Sequence, residues 1–329
     1  DARERVARAI RALGYVPDPV AATLANRTSR VMGIVTATYE GNACVQTLEG
    51  AGAYLERNGY SVVIGGGEHR SRSEPEMLPF LKQQRVEGLL IIYHGSEDDS
   101  YRLLSEIPSN IPVVTVGYGH DRDNVLAVSV DWEAGARQAT EHLISLGHEH
   151  IAVIGGAPQA YETVQRDTGY RAAMQRAGLP VGDGLMESGD WFMESGYEAT
   201  ERLLERAVRF TALFAHSDRM AVGAIRALLD HGHRVPEDVA VVGFNDISLA
   251  RYSVPPLTTV HYPLYELGEI CGRLLVARAT AERDEPVELT PEEVSRLNPH
   301  LVVRESCGAA MDGHRDAPVP PGSAQRRNA

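Results

Sequence analysis

The stretch FTALFAHSDRMAVGAIRALLDHGHRVPEDVAVVGFND, residues 210–246, carries the pattern that decides the fold. An apolar run at 210–218 leads into a helical segment at 218–231, and a second apolar run follows at 238–246. Short apolar runs of this length are typical of parallel strands, which are buried on both faces. The stretch therefore predicts a strand–helix–strand unit.

The same alternation extends over most of the chain in both directions. Two series of strands are predicted, the first at 31–38, 60–67, 86–93, 111–117 and 125–131, and the second at 150–156, 210–218 and 238–246. Helices are predicted between and after them at 44–58, 132–146, 163–177, 194–207, 218–231 and 264–280. Each series is long enough for one doubly wound parallel sheet, so the fold class is α/β with two such subdomains.

The ends of the two series set the expected domain boundaries. Gly147 ends a helix where the second series begins, PPLTTVHYP at 255–263 is an extended link back, and PHLVVRES at 299–306 is a last strand. The expected N-terminal core subdomain is 31–146 plus 262–291, and the C-terminal one is 147–261 plus 292–306. Residues 307–329 are rich in Gly, Pro and Ala and predict a disordered tail.

Composition excludes several classes of protein. The 329 residues carry a net charge of −13, which excludes nucleic-acid binding over the whole surface. No apolar stretch reaches the ~20 residues of a membrane span, and DARERVARAI is not a signal peptide. Three cysteines, Cys44, Cys271 and Cys307, form neither a disulfide framework nor a zinc knuckle. A cytoplasmic protein without a membrane partner is expected.

The N-terminal segment differs from the acidic remainder. Residues 1–30 hold six arginines against three acidic residues, which is typical either of local contact with a polyanion or of a solvated terminal helix. Residues 4–13 predict a helix that ends at Gly14. A second helix is predicted from Pro19, with Asp18 as its N-cap, but it is too short to be stable alone.

Seven motifs in order resemble the LacI/GalR-type (lactose-repressor) family of bacterial transcription regulators. They are RERVARAIRALGYVPDPVAATLA (3–25), GARQATEHLISLGHEHIAVIGG (135–156), RDTGYRAAM (166–174), GDWFMESGY (189–197), DRMAVGAIRALLDHGHRVPEDVAVVGFND (218–246), PPLTTV (255–260) and LVVRES (301–306). The resemblance implies a helix-turn-helix headpiece, a hinge helix and a dimeric core of the periplasmic-binding-protein-like type I architecture. It also implies that a small effector binds between the core subdomains.

The resemblance assigns DNA contacts to the N-terminal segment. Residues 1–14 match the last headpiece helix and 15–30 the hinge, where Leu24 matches the leucine that wedges into the minor groove. Small hinge residues would let the helix lie deep in the groove and two arginines would reach phosphates; they are Ala21, Ala22, Ala25, Arg27 and Arg30. A plain linker helix is the alternative. We expect residues 1–329 alone to bind an operator weakly and the hinge to be disordered without DNA.

The resemblance also assigns effector contacts to residues just past the predicted strands. Asp131 ends the fifth predicted strand and could also cap the next helix, Arg166 can bridge vicinal hydroxyls, Trp191 can stack on a sugar ring, and Asn245 can both donate and accept. Weaker candidates are Tyr39, Asn42, Tyr93, Glu162 and Ser217. Asp218 is expected to cap the helix at 218–231.

Two other functions were weighed against regulation. An enzyme is disfavoured because GxxxxGK[ST] and GxSxG are absent and consecutive His216, Ser217 and Asp218 cannot form a relay. No catalytic residue, metal site or cofactor is therefore expected. A sugar-binding transport protein lacks a use for residues 1–30. The prediction is an effector-responsive regulator with operator DNA, a second copy of itself and a small molecule, preferably a carbohydrate, as partners.

Overall fold

The fold is described from a computed structural model. It describes residues 28–36, 42–66, 83–92, 97–117, 119, 121–206, 208–280, 288–290, 293 and 297–309, together with Arg5, Arg8, Ala9 and Ala12, which are helical. The chain divides into two compact units. The first unit contains residues 1–130 and 263–297, and the second contains residues 131–262 and 298–329.

Strands and helices alternate along both units. The strands are β1 (Val31–Thr36), β2 (Ser61–Gly66), β3 (Gly88–Ile92), β4 (Val113–Val116), β5 (Val125–Val128), β6 (Ile151–Gly155), β7 (Met186–Ser188), β8 (Ala212–Ala215), β9 (Ala240–Asn245), β10 (Thr258–His261) and β11 (His300–Val302). The helices are α1 (Asn42–Arg57), α2 (Glu97–Ser105), α3 (Trp132–Ser145), α4 (Tyr161–Arg176), α5 (Met193–Glu205), α6 (Asp218–Asp230), α7 (Ser248–Tyr252) and α8 (Leu264–Thr280), with a short 3₁₀ turn at Asp183–Leu185.

The first unit is built on a parallel sheet in the order β2-β1-β3-β4-β5. Its strand β1 is apolar on both faces, since the successive residues Ile34 and Val35 are both buried. Helices α1 and α8 cross closely because glycines lie at the contact. A Cβ on Gly50 would lie 2.0 Å from the Tyr265 carbonyl oxygen, and one on Gly268 would lie 2.1 Å from that of Thr47.

The second unit repeats this winding. Its sheet has the order β11-β10-β9-β8-β6-β7, and every pair is parallel except β10 with β11. The chain therefore leaves β6 first toward β7 and then returns to β8 on the other side. Ligands of doubly wound sheets bind at such a reversal, beyond the carboxyl ends of the strands.

The predicted α/β class with two doubly wound sheets is confirmed, but several boundaries differ. Helix α3 lies in the second unit, so the boundary expected at residue 146 is one helix too late. It packs on α4, where a Cβ on Gly169 would lie 2.2 Å from the Glu133 carbonyl oxygen. The predicted link at 255–263 contains strand β10, because Thr258 to His261 pair with β9. Cys307, expected to start the tail, is buried, whereas 310–329 lie outside the described residues.

Two predictions about the whole chain can be compared with the described residues. Cys44, Cys271 and Cys307 are all buried free thiols. No helix among the described residues is both long enough and apolar enough to span a bilayer.

Candidate functional site

The loops that follow the strands of the second sheet have unusual backbone conformations. Four residues other than glycine take positive φ there: Gln159 (φ 67°) after β6, Trp191 (φ 78°) after β7, Asn245 (φ 109°) at the end of β9, and Asp246 (φ 53°). Such conformations cost of order 1–3 kcal/mol each, and they concentrate at ligand-binding positions. This carboxyl edge of the second sheet is the candidate site.

Arg166 lies at the centre of this edge. It occupies the second turn of α4 and is 5% exposed. Its guanidinium lies 4.2 Å from the centroid of the Phe244 ring and 5.3 Å from that of Trp191. One terminal nitrogen, Nη1, donates to the carbonyl oxygen of His216 at 2.8 Å. The Nε–H has no hydrogen-bond partner among the described residues. We call Arg166, Trp191, His216 and Phe244 the guanidinium cluster.

The charge of Arg166 survives this burial. Desolvation lowers the pKa of Arg166 to about 10, while the nearby charges or dipoles of Glu162, Tyr262 and Asp218 act in the opposite direction. Glu162 is one helical turn before Arg166 and is also buried. The site therefore presents a cation at neutral pH, in cation–π distance of two aromatic rings and with one N–H that has no partner among the described residues.

Trp191 reaches the guanidinium because its neighbours are small. A Cβ on Gly156 would lie 2.0 Å from the Trp191 ring, so the ring lies directly over the Gly156 backbone. Ser217 Oγ donates to the Trp191 carbonyl oxygen at 3.4 Å. The indole remains partly exposed. Trp191 thus offers an aromatic face beside the buried cation.

The start of α6 supports the same edge. Ser217 is its N-cap, because its Oγ accepts from the Met220 N–H at 3.1 Å. The expectation that Asp218 is the cap was therefore wrong. The fully buried Asp218 carboxylate instead accepts from the Thr259 hydroxyl and, at 2.8 Å, from the Ile247 N–H. Burial raises the pKa of Asp218 to about 7.

A second ionic group lies under the segment that carries Asn245. Asp246 Oδ1 accepts from Arg304 at 2.6 Å, and Asp246 Oδ2 lies 3.0 Å from His261 Nδ1. These hydrogen bonds hold the pKa of Asp246 below its usual value, although burial acts against them. Asp246, His261 and Arg304 were not among the predicted site residues. The sequence signal for them was weak, since Arg304 and His261 lie within stretches that were assigned only as a strand and a link.

Further polar atoms lie beneath Arg166 on the inner side of α4. His216 is fully buried, and its Nε2 lies 3.6 Å from Asp167 Oδ1. Burial, and then the charge of Arg166, lower the pKa of His216 well below its usual value, so the imidazole is neutral. Burial raises the pKa of Asp167 to about 6. Neither His216 nitrogen, nor Thr163 Oγ1, has a hydrogen-bond partner among the described residues.

The structure brings only part of the predicted site together. Glu162, Arg166, Trp191, Ser217 and Asn245 all lie on the carboxyl edge of the second sheet. Asp131 lies three residues beyond the end of β5, so it does not end that strand. Its Oδ1 caps α3 by accepting from the Ala134 N–H at 2.7 Å, as the alternative assignment stated. Tyr39, Tyr93 and the side chain of Asn42 lie outside the described residues.

Little of the predicted DNA-contacting segment falls within the described residues. Leu24, Ala21, Ala22, Ala25 and Arg27 lie outside them. Arg30 is exposed directly before β1, and its guanidinium lies 5.0 Å from the centroid of the Tyr60 ring. Its backbone N–H donates to Glu87 Oε1 at 3.0 Å.

Comparison with known proteins agrees with this architecture. A periplasmic binding protein-like domain matches residues 140–307. The transcriptional regulator CelR of Thermobifida fusca is 38% identical over 92% of this chain and 89% of its own length. The ribose operon repressor of Escherichia coli K12 is 33% identical, with 87% of each chain covered. The chain belongs to the LacI family of transcriptional regulators.

Solved structures of LacI-family members superpose well on the chain. The CelR–cellobiose complex has a TM-score of 0.76 at 36% identity and covers 92% of this chain and 90% of that one. The Lac repressor dimer bound to operator and the anti-inducer ONPF has a TM-score of 0.80 at 28% identity, covering 93% and 89%. Like these relatives, the chain is a transcriptional regulator. The match to regulators over nearly the whole chain favours this function over that of a transport protein.

Proposed function

We propose that the guanidinium cluster binds a carbohydrate effector. The observation that carries the proposal is the buried, charged Arg166. Its Nε–H lacks a hydrogen-bond partner among the described residues, and the Phe244 and Trp191 rings lie in cation–π distance of its guanidinium. Guanidinium N–H groups can bind vicinal hydroxyls, and an indole face packs on the apolar face of a pyranose. Asn245, whose amide can donate and accept, suits further hydroxyls.

The comparisons support a sugar as the ligand class. The solved CelR complex contains cellobiose, and CelR is the relative with the highest identity quoted above. A purine is the rival ligand, because it too would stack on Trp191. A purine offers no vicinal hydroxyls to the arginine, so the two classes predict different partners for Arg166.

A ligand screen separates these two classes. We would measure the melting temperature of the chain with cellobiose, glucose, ribose, hypoxanthine and guanine, since a ligand stabilises the folded state in proportion to RT ln(1 + [L]/Kd). A concentration-dependent rise with at least one sugar is expected. A rise with a purine and none with any sugar contradicts the proposal.

Replacement of Arg166 by lysine tests the role of the guanidinium. Lysine keeps the charge but loses the planar fork, so we expect the affinity for the active ligand to fall at least about tenfold. Arg226→Lys is the matched control, because Arg226 is exposed on α6 and pairs with Asp230 four residues on. Equal affinities of the two variants would remove Arg166 from the ligand site.

We also infer that the protein acts by binding and not by catalysis. The hydroxyl of Ser217 and the carboxylate of Asp218 are engaged by backbone groups and by Thr259. His216 is fully buried beneath them. Nucleophilic catalysis needs a hydroxyl within reach of a base and open to substrate, an arrangement that these three residues do not make.

We propose that two copies associate through an apolar surface at the end of α7. Tyr252 is 77% exposed and Val254 is 83% exposed, the largest values among the exposed large apolar side chains of the described residues. The related Lac repressor structure is a dimer. Val254→Asp should convert a dimer to a monomer in light scattering, whereas Leu229→Asp, at another exposed apolar position, should not. A Val254→Asp dimer of unchanged affinity would place the interface elsewhere.

We also propose that the effector controls the affinity of the protein for operator DNA in the cytoplasm. Effector binding would shift the balance between two states that differ in affinity for operator DNA, by no more than the difference in effector affinity between them. Leu24 in the hinge segment would carry the contact with the minor groove. Fluorescence anisotropy with a fusion of a complete helix-turn-helix headpiece to this chain, on a selected pseudo-palindromic duplex, should show that the active sugar changes DNA affinity. An affinity that is the same at zero and saturating sugar contradicts switching.

A further inference from the structure

Two histidines face each other across the antiparallel pair at the end of the second sheet. His261 on β10 is directly opposite His300 on β11. The ring centroids are 4.8 Å apart, and the ring planes are inclined by 41°. Directly opposed residues of antiparallel strands have their side chains on the same face of the sheet. The two imidazoles therefore form a side-chain pair whose spacing the backbone ladder fixes.

A carboxylate orients one of the two rings. Asp246 Oδ2 lies 3.0 Å from His261 Nδ1, so Nδ1 carries the proton and the Nδ1–H donates a hydrogen bond to the carboxylate. The lone pair of His261 is then on Nε2, on the opposite side of the ring from Asp246. Histidines that bind metal ions almost always donate their other N–H to a carboxylate or carbonyl in this way.

The pair is accessible to solvent. The His261 side chain is 36% exposed, and His300 is exposed. Arg304, which donates to the other Asp246 oxygen, is the positive group near the pair and limits the negative charge available to a cation.

We propose that His261 and His300 bind a divalent transition-metal ion such as Zn²⁺ or Ni²⁺. Zn–N bonds of about 2.0–2.1 Å to one nitrogen of each ring are compatible with centroids 4.8 Å apart. Imidazole suits Zn²⁺, Ni²⁺ and Cu²⁺, whereas Mg²⁺ prefers oxygen ligands. Among the described residues no group of three or more ligating side chains could hold a metal ion, so solvent completes the coordination.

The position of the pair gives the metal a structural effect. Tyr262 ends one segment of the second unit directly after His261, and Asn298 begins the next segment two residues before His300. An ion held by both rings would cross-link β10 to β11 beside two of the points where the chain passes between units. The two proposed ligands, His261 and His300, are not members of the guanidinium cluster, although His261 is in register with Asn245.

Metal titration of the tag-free, chelator-treated chain tests the proposal. Calorimetry with Zn²⁺ and Ni²⁺ should show one ion per chain and a rise in melting temperature, whereas Mg²⁺ should give neither. His300→Gln should weaken binding at least about tenfold, while His150→Gln, at an exposed histidine elsewhere in the second unit, should leave it unchanged. Equal binding by wild type and His300→Gln, or no binding by wild type, overturns the proposal.

Two further measurements separate this site from nonspecific binding. Asp246→Asn should weaken Zn²⁺ binding by about 10- to 100-fold, the usual effect of losing a carboxylate that orients a ligand. Cu²⁺ bound to the chain should show electron paramagnetic resonance couplings from two imidazole nitrogens, and His300→Gln should remove one. A Cu²⁺ spectrum that is unchanged by His300→Gln contradicts the assignment.

Discussion

The two sheets of this regulator share one winding and differ in what they bury. Each has a strand order that reverses beside its first strand, β1 in the first unit and β6 in the second. Among the described residues, the first unit buries one acidic, basic or imidazole side chain, that of Glu293. The second unit buries Glu162, Arg166, His216, Asp218 and Arg304.

The difference shows which part of the site the fold supplies. Winding places strand ends and helix starts at one edge in both units, so topology alone does not distinguish them. The buried charged residues distinguish the two units, because the free-energy cost of burying each charge must be offset by nearby groups. In the second unit the compensation comes from aromatic faces around Arg166 and from hydrogen bonds to Asp218 and Asp246. Four variants test whether the two edges differ in function as they do in chemistry.

The largest effect is expected from Arg166→Ala. Removal of the guanidinium takes a positive charge from beside the buried Glu162 and removes the donor to the His216 carbonyl oxygen, which costs about 3–5 kcal/mol of stability. The sugar response should disappear as well. Urea unfolding and the ligand-induced shift in melting temperature measure both. Arg226→Ala, an exposed arginine-to-alanine control, should cost less than about 1 kcal/mol.

Leu90→Ala should lower stability without touching the ligand site. Leu90 is fully buried in β3 of the first unit, so the lost methyl groups and the cavity cost about 2–5 kcal/mol. The sugar affinity of the folded protein, measured by calorimetry at 15 °C, should match the wild type. A sugar affinity more than tenfold weaker would mean that the comparison between the edges is wrong.

Gly156→Ala should displace the Trp191 ring. The new Cβ would lie 2.0 Å from the ring, a clash whose relief costs about 1–3 kcal/mol. Sugar affinity should fall about tenfold, because the aromatic face moves away from Arg166. Gly52→Ala is the control, since its Cβ meets no atom within 4 Å and it lies inside α1, where alanine is the better helix former. Unchanged sugar affinity in Gly156→Ala would exclude Trp191 from the site.

The fourth variant tests the pH dependence of stability, an effect of on the order of 1 kcal/mol for each pH unit. Because burial raises the pKa of Asp218 to about 7, the folded state keeps a proton that the unfolded chain loses above pH ~4. The Asp218 contribution to stability is therefore present below pH ~4 and is lost as the pH rises through 7. The stability of wild type relative to Asp218→Asn should fall by on the order of 1 kcal/mol per pH unit across that window.

An exposed aspartate provides the control of opposite sign. Hydrogen bonds from Arg234 lower the pKa of Asp238, so its contribution is present above the unfolded pKa and is lost in acid. The stability of wild type relative to Asp238→Asn should therefore rise with pH, and only in the acid range. The same direction of change for both aspartates would contradict the buried environment assigned to Asp218.

Sequence predicted the repeated architecture because hydrophobic runs and helical segments alternate at regular spacing. It missed β7, whose Met186–Ser188 run is too short and too polar to stand out, and α2, where few apolar residues mark the buried face. It read β10 as a link because two prolines precede it. The misplaced boundary at 146 followed from connectivity, since α3 directly follows the first series yet packs on α4.

Sequence predicted the site only in part, because motifs identify single residues and not the contacts between distant ones. Arg166 and Trp191 matched family motifs and both lie on the carboxyl edge of the second sheet. Sequence could not show that the Phe244 ring also contacts the guanidinium, because that contact joins residues 78 positions apart. Nor could it divide the roles of Ser217 and Asp218, since both are good caps and only the hydrogen bonds separate them.

Fluorescence of Trp191 tests the central claim most directly. The chain has two tryptophans, and Trp132→Phe leaves Trp191 alone while keeping an aromatic ring between Tyr161 and Tyr262. Titration of this variant with the sugar that raises the melting temperature should change its emission saturably, with the same Kd as calorimetry. When Arg166→Lys is added, the same change in emission should need at least about tenfold more sugar. Sugar binding detected by calorimetry with no change in Trp191 emission would contradict a site at the guanidinium cluster.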